Sequence, residues 1–379
     1  MGESRFSWEI LLTGLLLTFA AFAIIDRPGG STTSDSRPSA AIGGTAPEMP
    51  ALPAIPDMPS IPTAPEAAAA AAQAAEFATK HAAVAGIHLS RAAQYDKGIV
   101  IKDDRFSSAA LNDVQLKTSG GNIHIIGGSG SEVRVKIVAT GRDATREKVD
   151  ERYDVTLRRE GSTLLAEVTT KSRGFFGGMW SGNISMNIIV ETPVDMAFNA
   201  RTSGGNIEAS SLSGTQYMKT SGGNIRLEAL TGSGEISTSG GNITANDLDG
   251  AFTVSTSGGN MAFERCSGML NAKTSGGNIT LDFMGGNLSA RTSGGNIRAA
   301  LHAIDDAVDL STSGGSITLS IPESSACDLS AKASSVQLDR SLRTDGVVKK
   351  DEVDVRINGG GPLVKARTSA GSININKLK

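Results

Sequence analysis

The hexapeptide Thr-Ser-Gly-Gly-Asn-Ile begins at Thr118, Thr202, Thr220, Thr238, Thr274 and Thr292, with near copies at Thr256 (TSGGNM), Thr312 (TSGGSI) and Thr368 (TSAGSI). From Thr202 to Thr292 every step is 18 residues, and the next, to Thr312, is 20. A fixed period of this length marks a repeat architecture, in which each unit buries its apolar side only by stacking on its neighbours. A globular core assembled from unlike elements is excluded for this part of the chain.

Counted from Thr as position one, position six reads Ile207, Ile225, Ile243, Met261, Ile279, Ile297, and position eight reads Ala209, Leu227, Ala245, Phe263, Leu281, Ala299. Position seven is polar or small, so the pattern alternates as a strand does. Position eleven (Leu212, Leu230, Leu248, Cys266, Met284) and position seventeen (Met218, Ile236, Val254, Ala272, Ala290) supply further apolar columns, and position thirteen is Gly throughout. Each unit therefore reads as two short strands separated by two glycine turns. Stacked about 4.8 Å apart, such units make an all-β, single-stranded parallel β-helix, or β-solenoid, of 18-residue coils. Right-handed winding is expected because parallel crossovers strongly prefer it, and the six-residue apolar period of left-handed hexapeptide solenoids is missing. With Gly at 45 of 379 residues and aromatics at 4%, the core is expected to be thin and aliphatic.

The repeated Gly-Gly is expected to supply corner dihedrals closed to other residues. Asn206, Asn224, Asn242, Asn260, Asn278 and Asn296 are expected to stack as an amide ladder along that corner.

The remainder divides by composition. Residues 1–26 include the charge-free run Ile10 to Ile25, an apolar helix read first as a retained membrane anchor and alternatively as a cleaved signal segment. Residues 27–65 form a linker rich in Pro, Ala and Ser, with Pro every third residue from Pro47 to Pro65, the turn of an extended polyproline II spacer. Residues 66–97 hold an alanine-rich helix introduced by Thr63 and Glu66 at capping-box spacing. Residues 98–200 contain a first coil and irregular strands that cap the stack, residues 201–322 the regular repeats, and residues 323–379 degenerate coils and a second cap. Among the latter, Ala333 to Leu338 reads as a degenerate coil, Val347 to Ile357 as a strand, and Thr368 to Ile375 as the last coil.

No catalytic, cofactor-binding or metal-binding residue is assigned, and no cofactor is expected. Position nine gives Ser210, Glu228, Asn246, Glu264, Asp282 and Ala300, acids without a companion cluster of Arg or His. Asp305, Asp306 and Asp309 fall in a lengthened turn and read as a solvated loop; His81, His88, His124 and His302 are scattered. The TSGG turns lack the following Lys and helix of a phosphate loop. A Thr-based ice-binding face is disfavoured by its neighbouring column, Arg201, Lys219, Ser237, Ser255, Lys273 and Arg291. Cys266 and Cys327 fall three coils apart, too far for a disulfide. A formal charge of −3 argues against a nucleic-acid partner. One segment stands out as a contact loop: Phe175, Phe176, Met179 and Trp180, flanked by glycines, form either an exposed partner surface or a plug for the end of the stack.

The TSGGNI runs, together with SEVRVKIVATG, GSTLLAEVTT and NIIVETPVDMAFNARTSGGNIEA, resemble the bacterial adhesin-like family known as domain of unknown function 4097, over about residues 110 to 379. The resemblance implies an extracytoplasmic β-repeat domain without enzymatic activity. Residues and resemblance together point to a membrane-anchored scaffold or binding module in the periplasm or at the cell surface. Its expected partners are the membrane, through the N-terminal segment, and a cell-wall glycan or envelope protein; the oligomeric state is open. The alternative is a structural polymer stacking through the solenoid ends, with a carbohydrate-active enzyme behind it.

Overall fold

A computed structural model of the chain describes residues 98–171 and 183–378. The apolar segment, the linker, the alanine-rich helix and the contact loop with Phe175, Phe176, Met179 and Trp180 lie outside the described residues.

The chain enters with β1 (Ile99–Ser107), and the first TSGGNI follows as β2 (Asp113–Thr118) and β3 (Ile123–Gly128) on either side of one corner. It then leaves the stack through β4 (Glu132–Thr140) and a short helix α1 (Arg146–Arg152), whose start is fixed by Thr145 Oγ1 accepting from Lys148 N at 3.3 Å. Strands β5 (Tyr153–Glu160), β6 (Thr163–Thr170) and β7 (Ser185–Pro193) lead back to β8 (Ala197–Thr202). β2 lies parallel between β6 and β8. The first coil is thus seated inside the stack, while β1–β4, β4–β7 and β5–β6 pair antiparallel outside it.

The regular repeats form β9 (Ile207–Lys219), β10 (Ile225–Thr238), β11 (Ile243–Thr256), β12 (Met261–Lys273) and β13 (Ile279–Arg291). Their register is parallel and offset by one repeat, so Ile207, Ile225, Ile243, Met261 and Ile279 stand in one column. β3 docks on β9 through Ile123 and Ile207. Each repeat is one long kinked strand rather than two strands parted by two glycine turns. The first kink falls on position ten, where Ser211, Ala229, Asp247 and Arg265 hold φ of 51° to 56°. This left-handed bend reverses the alternation and turns Leu212, Leu230 and Leu248 inward. The second kink uses the position-thirteen glycines, Gly232, Gly250, Gly268 and Gly286, all at positive φ.

β13 corrects one core assignment. Met284 is 44% exposed, and Phe283 is buried in its place, opposite Cys266. Position ten is a Phe here, too bulky to hold the left-handed bend cheaply. The strand runs straight on and its alternation carries the ring inward, where burial of that area is favourable.

After β14 (Ile297–Leu301), β15 (Val308–Thr312) and β16 (Ile317–Ile321), the chain makes β17 (Cys327–Lys332), β18 (Ser335–Leu338), the antiparallel hairpin β19 (Thr344–Val348) and β20 (Glu352–Ile357), then β21 (Leu363–Thr368) and β22 (Ser372–Lys377). β21 lies between β15 and β17, and β22 between β16 and β18. The coil at Thr368, expected last, is inserted beneath the degenerate coil at Ala333. The reason is chemical: Thr368 keeps the corner hydroxyl and donates to Gly315 O at 2.7 Å, which Ala333 cannot do. The stretch from Val347 to Ile357, expected as one strand, is that hairpin.

The inward columns merge into one core from Ile101 to Ile375. The outer edges, β1, β5, β18 and β19, differ in protection. β1 carries Lys102, Asp103, Asp104 and Arg105, charges that discourage edge pairing, whereas β19 carries a single charge, Asp345, and meets Lys349 and Lys350 only beyond its end.

Candidate binding surface

In the TSGGN corner the Thr hydroxyl, the backbone N–H groups and the Asn side-chain carbonyl have partners inside the stack, while the Ser hydroxyl faces outward. Thr Oγ1 is buried and donates to the carbonyl of the preceding coil's second Gly, at 2.8–3.1 Å from Thr202 to Thr312. The same oxygen accepts from its own second Gly N–H, as in Gly223 to Thr220 at 3.2 Å. Ser221 N and Gly222 N both donate to Ser203 O, and the pattern recurs on each coil up to Ser293 and Gly294. Asn224 N donates to Asn206 Oδ1 at 2.8 Å, and so on through Asn242, Asn260, Asn278 and Asn296 to Ser316. The expected amide-to-amide ladder is therefore a side-chain carbonyl to backbone N–H ladder, which satisfies one main-chain donor per coil.

The glycine expectation also changes. No glycine of the TSGGNI copies has positive φ. The second Gly is required by contact: a Cβ there would stand 1.8–1.9 Å from the carbonyl oxygen of the preceding coil's Gly, from Gly223 to Gly315. Apart from its outward Ser hydroxyl the motif is thus consumed by the scaffold, and ligand chemistry resides on that Ser and on the outward columns.

Two faces present those columns. On the face formed by positions six to nine, Glu208, Glu228, Glu264 and Asp282 point outward, with Arg226 beside Glu228 and Arg298 one coil beyond Asp282. On the opposite face, position eighteen begins Lys117, Arg201, Lys219, passes Ser237 and Ser255, and resumes with Lys273 and Arg291. It continues through Ser311 and Arg367 to Lys332. Acids close both ends of this basic column: Glu167 lies 2.5 Å from Lys117, and Glu352 lies 3.8 Å from Lys332. Arg291 pairs with Asp309 at 2.5 Å, and the Arg201 guanidinium sits 4.9 Å from the Tyr217 ring centre.

Sequence reading found the Arg201 to Arg291 part of the column only as an argument against ice binding. It missed Lys117, Arg367 and Lys332, because interleaving of the first and last repeat copies brings them into line. For Lys117 and Arg367 the available signal was the residue preceding each corner Thr; Lys332 precedes Ala333 and carries no such mark.

Other candidates do not converge. Asp305 accepts from Gly286 N, Asp306 from Ala307 N, and Asp309 from Arg291, so the three carboxylates serve separate partners. His124 is buried with Nδ1 3.4 Å from Glu208, and His302 contacts Asp282 at 2.5 Å; His81 and His88 lie outside the described residues. Cys266 and Cys327 are buried and free. Burial pushes the Cys266 thiol up to about 12 and Cys327 up to about 11, which makes both poor nucleophiles. Among the described residues no helix is long and apolar enough to cross a membrane.

Comparison with known proteins places this geometry. No curated protein matches the chain. Among solved structures, it is similar to a candidate adhesin from Parabacteroides distasonis (13% identity, 74% of this chain and 98% of that one, TM-score 0.39). A candidate lipid-binding protein from the same organism shares 17% identity over 73% of this chain and 96% of its own, with a TM-score of 0.37. A candidate adhesin from Bacteroides fragilis shares 13% identity over 73% and 96%, with a TM-score of 0.34. The profile of the Toastrack family, domain of unknown function 4097, matches residues 111–376, and with that span covering most of the chain the protein belongs to the Toastrack family.

Proposed function

We propose that this protein is a non-enzymatic, adhesin-like β-solenoid, wound right-handed, held at the cell envelope by residues 1–26 with its rod outside the cytoplasm. The supporting observation is the division of labour between corner and face. The corner's Thr hydroxyls, backbone N–H groups and Asn carbonyls are spent on one another, whereas the outward side chains recur once per coil, which suits a partner that itself repeats. Family membership supports a β-repeat scaffold. The reading is tested by fractionating cells that make the full chain, sequencing its N-terminus and treating intact and permeabilised cells with protease. A membrane-bound chain cleaved only from outside the cytoplasm is expected; a soluble cytoplasmic chain would overturn it.

A second reading, end-to-end assembly, is favoured by one feature. All five residues of β19 are exposed, Val347 and Val348 at 50% and 58%, and β19 pairs on one side only. Sedimentation of the full chain in detergent decides between them: filaments that grow with concentration support assembly, and a monomer across the range refutes it.

A further inference from the structure

We infer that the position-eighteen column is the binding track for a linear acidic polysaccharide lying along the rod; this rests on the envelope reading above and names the partner class.

The chain as a whole is slightly acidic, at −3, yet this column concentrates cations on one face while acids predominate on the other. Like charges on adjacent strands, about 4.8 Å apart, repel and destabilise a sheet. Arg201 and Lys219 nevertheless stand side by side, and Lys273 stands beside Arg291; within the fold Glu167 meets the charge of Lys117 and Asp309 that of Arg291. Their fold does not demand it, because Ser237, Ser255 and Ser311 occupy the same column with the same pairing. Lys117, Arg291 and Lys332 meet acids of the fold, but the cations Arg201, Lys219, Lys273 and Arg367 are not required by the scaffold and are accounted for by a ligand that neutralises them.

The immediate neighbours specify the ligand further. Beyond each inward corner Thr comes an exposed Ser, so Ser221, Ser275 and Ser369 run beside Lys219, Lys273 and Arg367. Each such coil offers a cation and a hydroxyl within one corner. Towards the C-terminal end, Arg367, Lys332, Ser311, Ser313, Ser334 and Ser369 line a surface groove of about 510 Å³. Carboxylates interspersed with hydroxyls match this lining, as in a chain of uronic acids. Single-stranded nucleic acid would need a series of aromatic platforms. Tyr217 is the aromatic on position sixteen among β9–β13, and its ring is already covered by Arg201.

The test uses the full chain in detergent, polygalacturonate as probe, dextran as the neutral control and single-stranded DNA as the competing polyanion. The triple variant Lys219→Ser, Lys273→Ser, Arg367→Ser places in each coil a residue the column already accepts. Arg226→Thr with Arg298→Thr removes cations from the opposite face, where Thr244 and Thr280 are native to the column. Wild type is expected to bind polygalacturonate but not dextran, with affinity falling as salt rises from about 50 to about 500 mM. The triple variant, with an unchanged melting curve, is expected to bind at least about tenfold more weakly, and the opposite-face variant within about twofold of wild type. Three results would overturn the inference: no binding of polygalacturonate, equal losses in both variants, or tighter binding of the DNA. An extracytoplasmic chain that ignores polygalacturonate sinks this inference alone; a cytoplasmic chain sinks the broader reading.

Discussion

The carbonyl oxygen of Gly241 stands 1.9 Å from the position a β-carbon would take on Gly259, one coil further on. At Gly258, the adjacent residue, the nearest atom to such a carbon is 3.8 Å away. Gly259→Ala is therefore expected to force the coils apart and cost about 3 kcal/mol or more, whereas Gly258→Ala stays within about 0.5 kcal/mol of wild type. Urea unfolding of the two variants checks this; equal losses would refute the contact explanation.

Asn242 Oδ1 is the acceptor for Asn260 N at 2.8 Å. Asn242→Ala removes it and is expected to cost about 1 kcal/mol, the usual net value of such a bond. Asn242→Asp keeps an acceptor oxygen at the same place and should lose less. If both variants unfold at the wild-type urea midpoint, the ladder contributes nothing to stability.

Phe283 and Met284 test the register of β13. Phe283→Ala empties a core site and is expected to cost about 3–5 kcal/mol, while Met284→Ala, at a half-exposed position, changes stability by less than about 1 kcal/mol. The reverse order in thermal melts would restore the regular repeat register.

For Cys266, desolvation raises the thiol from an ordinary 9.0 to about 12. The native state holds this proton more tightly than the unfolded chain. The resulting stabilisation is constant below about pH 9 and declines as pH rises from there towards 12. The urea midpoint should fall between pH 7.5 and pH 10.5, by less in Cys266→Ala than in wild type, with both pH values chosen to bracket about 9. A thiol reagent at about pH 8 should label neither Cys266 nor Cys327 until urea is added. Rapid labelling of the native chain would contradict the burial of both.

Much of the stack is legible in the sequence because its strongest contacts repeat. Ile207 above Ile225 and Thr202 before Gly205 recur at one spacing, and the spacing alone aligns them. What sequence misses is set by contacts between coils. Gly259 looks like a residue chosen for its dihedrals until the neighbouring Gly241 carbonyl is seen. Met284 sits in an apolar column by count, yet one Phe at position ten redirects it. Lys117, Arg367 and Lys332 join the basic column only through partners far away in the chain. The aromatic loop at Phe175 to Trp180, which sequence marks as a contact candidate, lies outside the described residues.

The insertion of Leu363–Lys377 between coils made earlier bears on biosynthesis. A ribosome delivers Cys327–Leu338 before the two strands that must lie beneath them, so that end cannot close in the order of translation. It has to wait, open, for the final segment to arrive. A stop codon ahead of Leu363 would therefore strip the layer on which Cys327–Leu338 rests, rather than trim a dispensable tail.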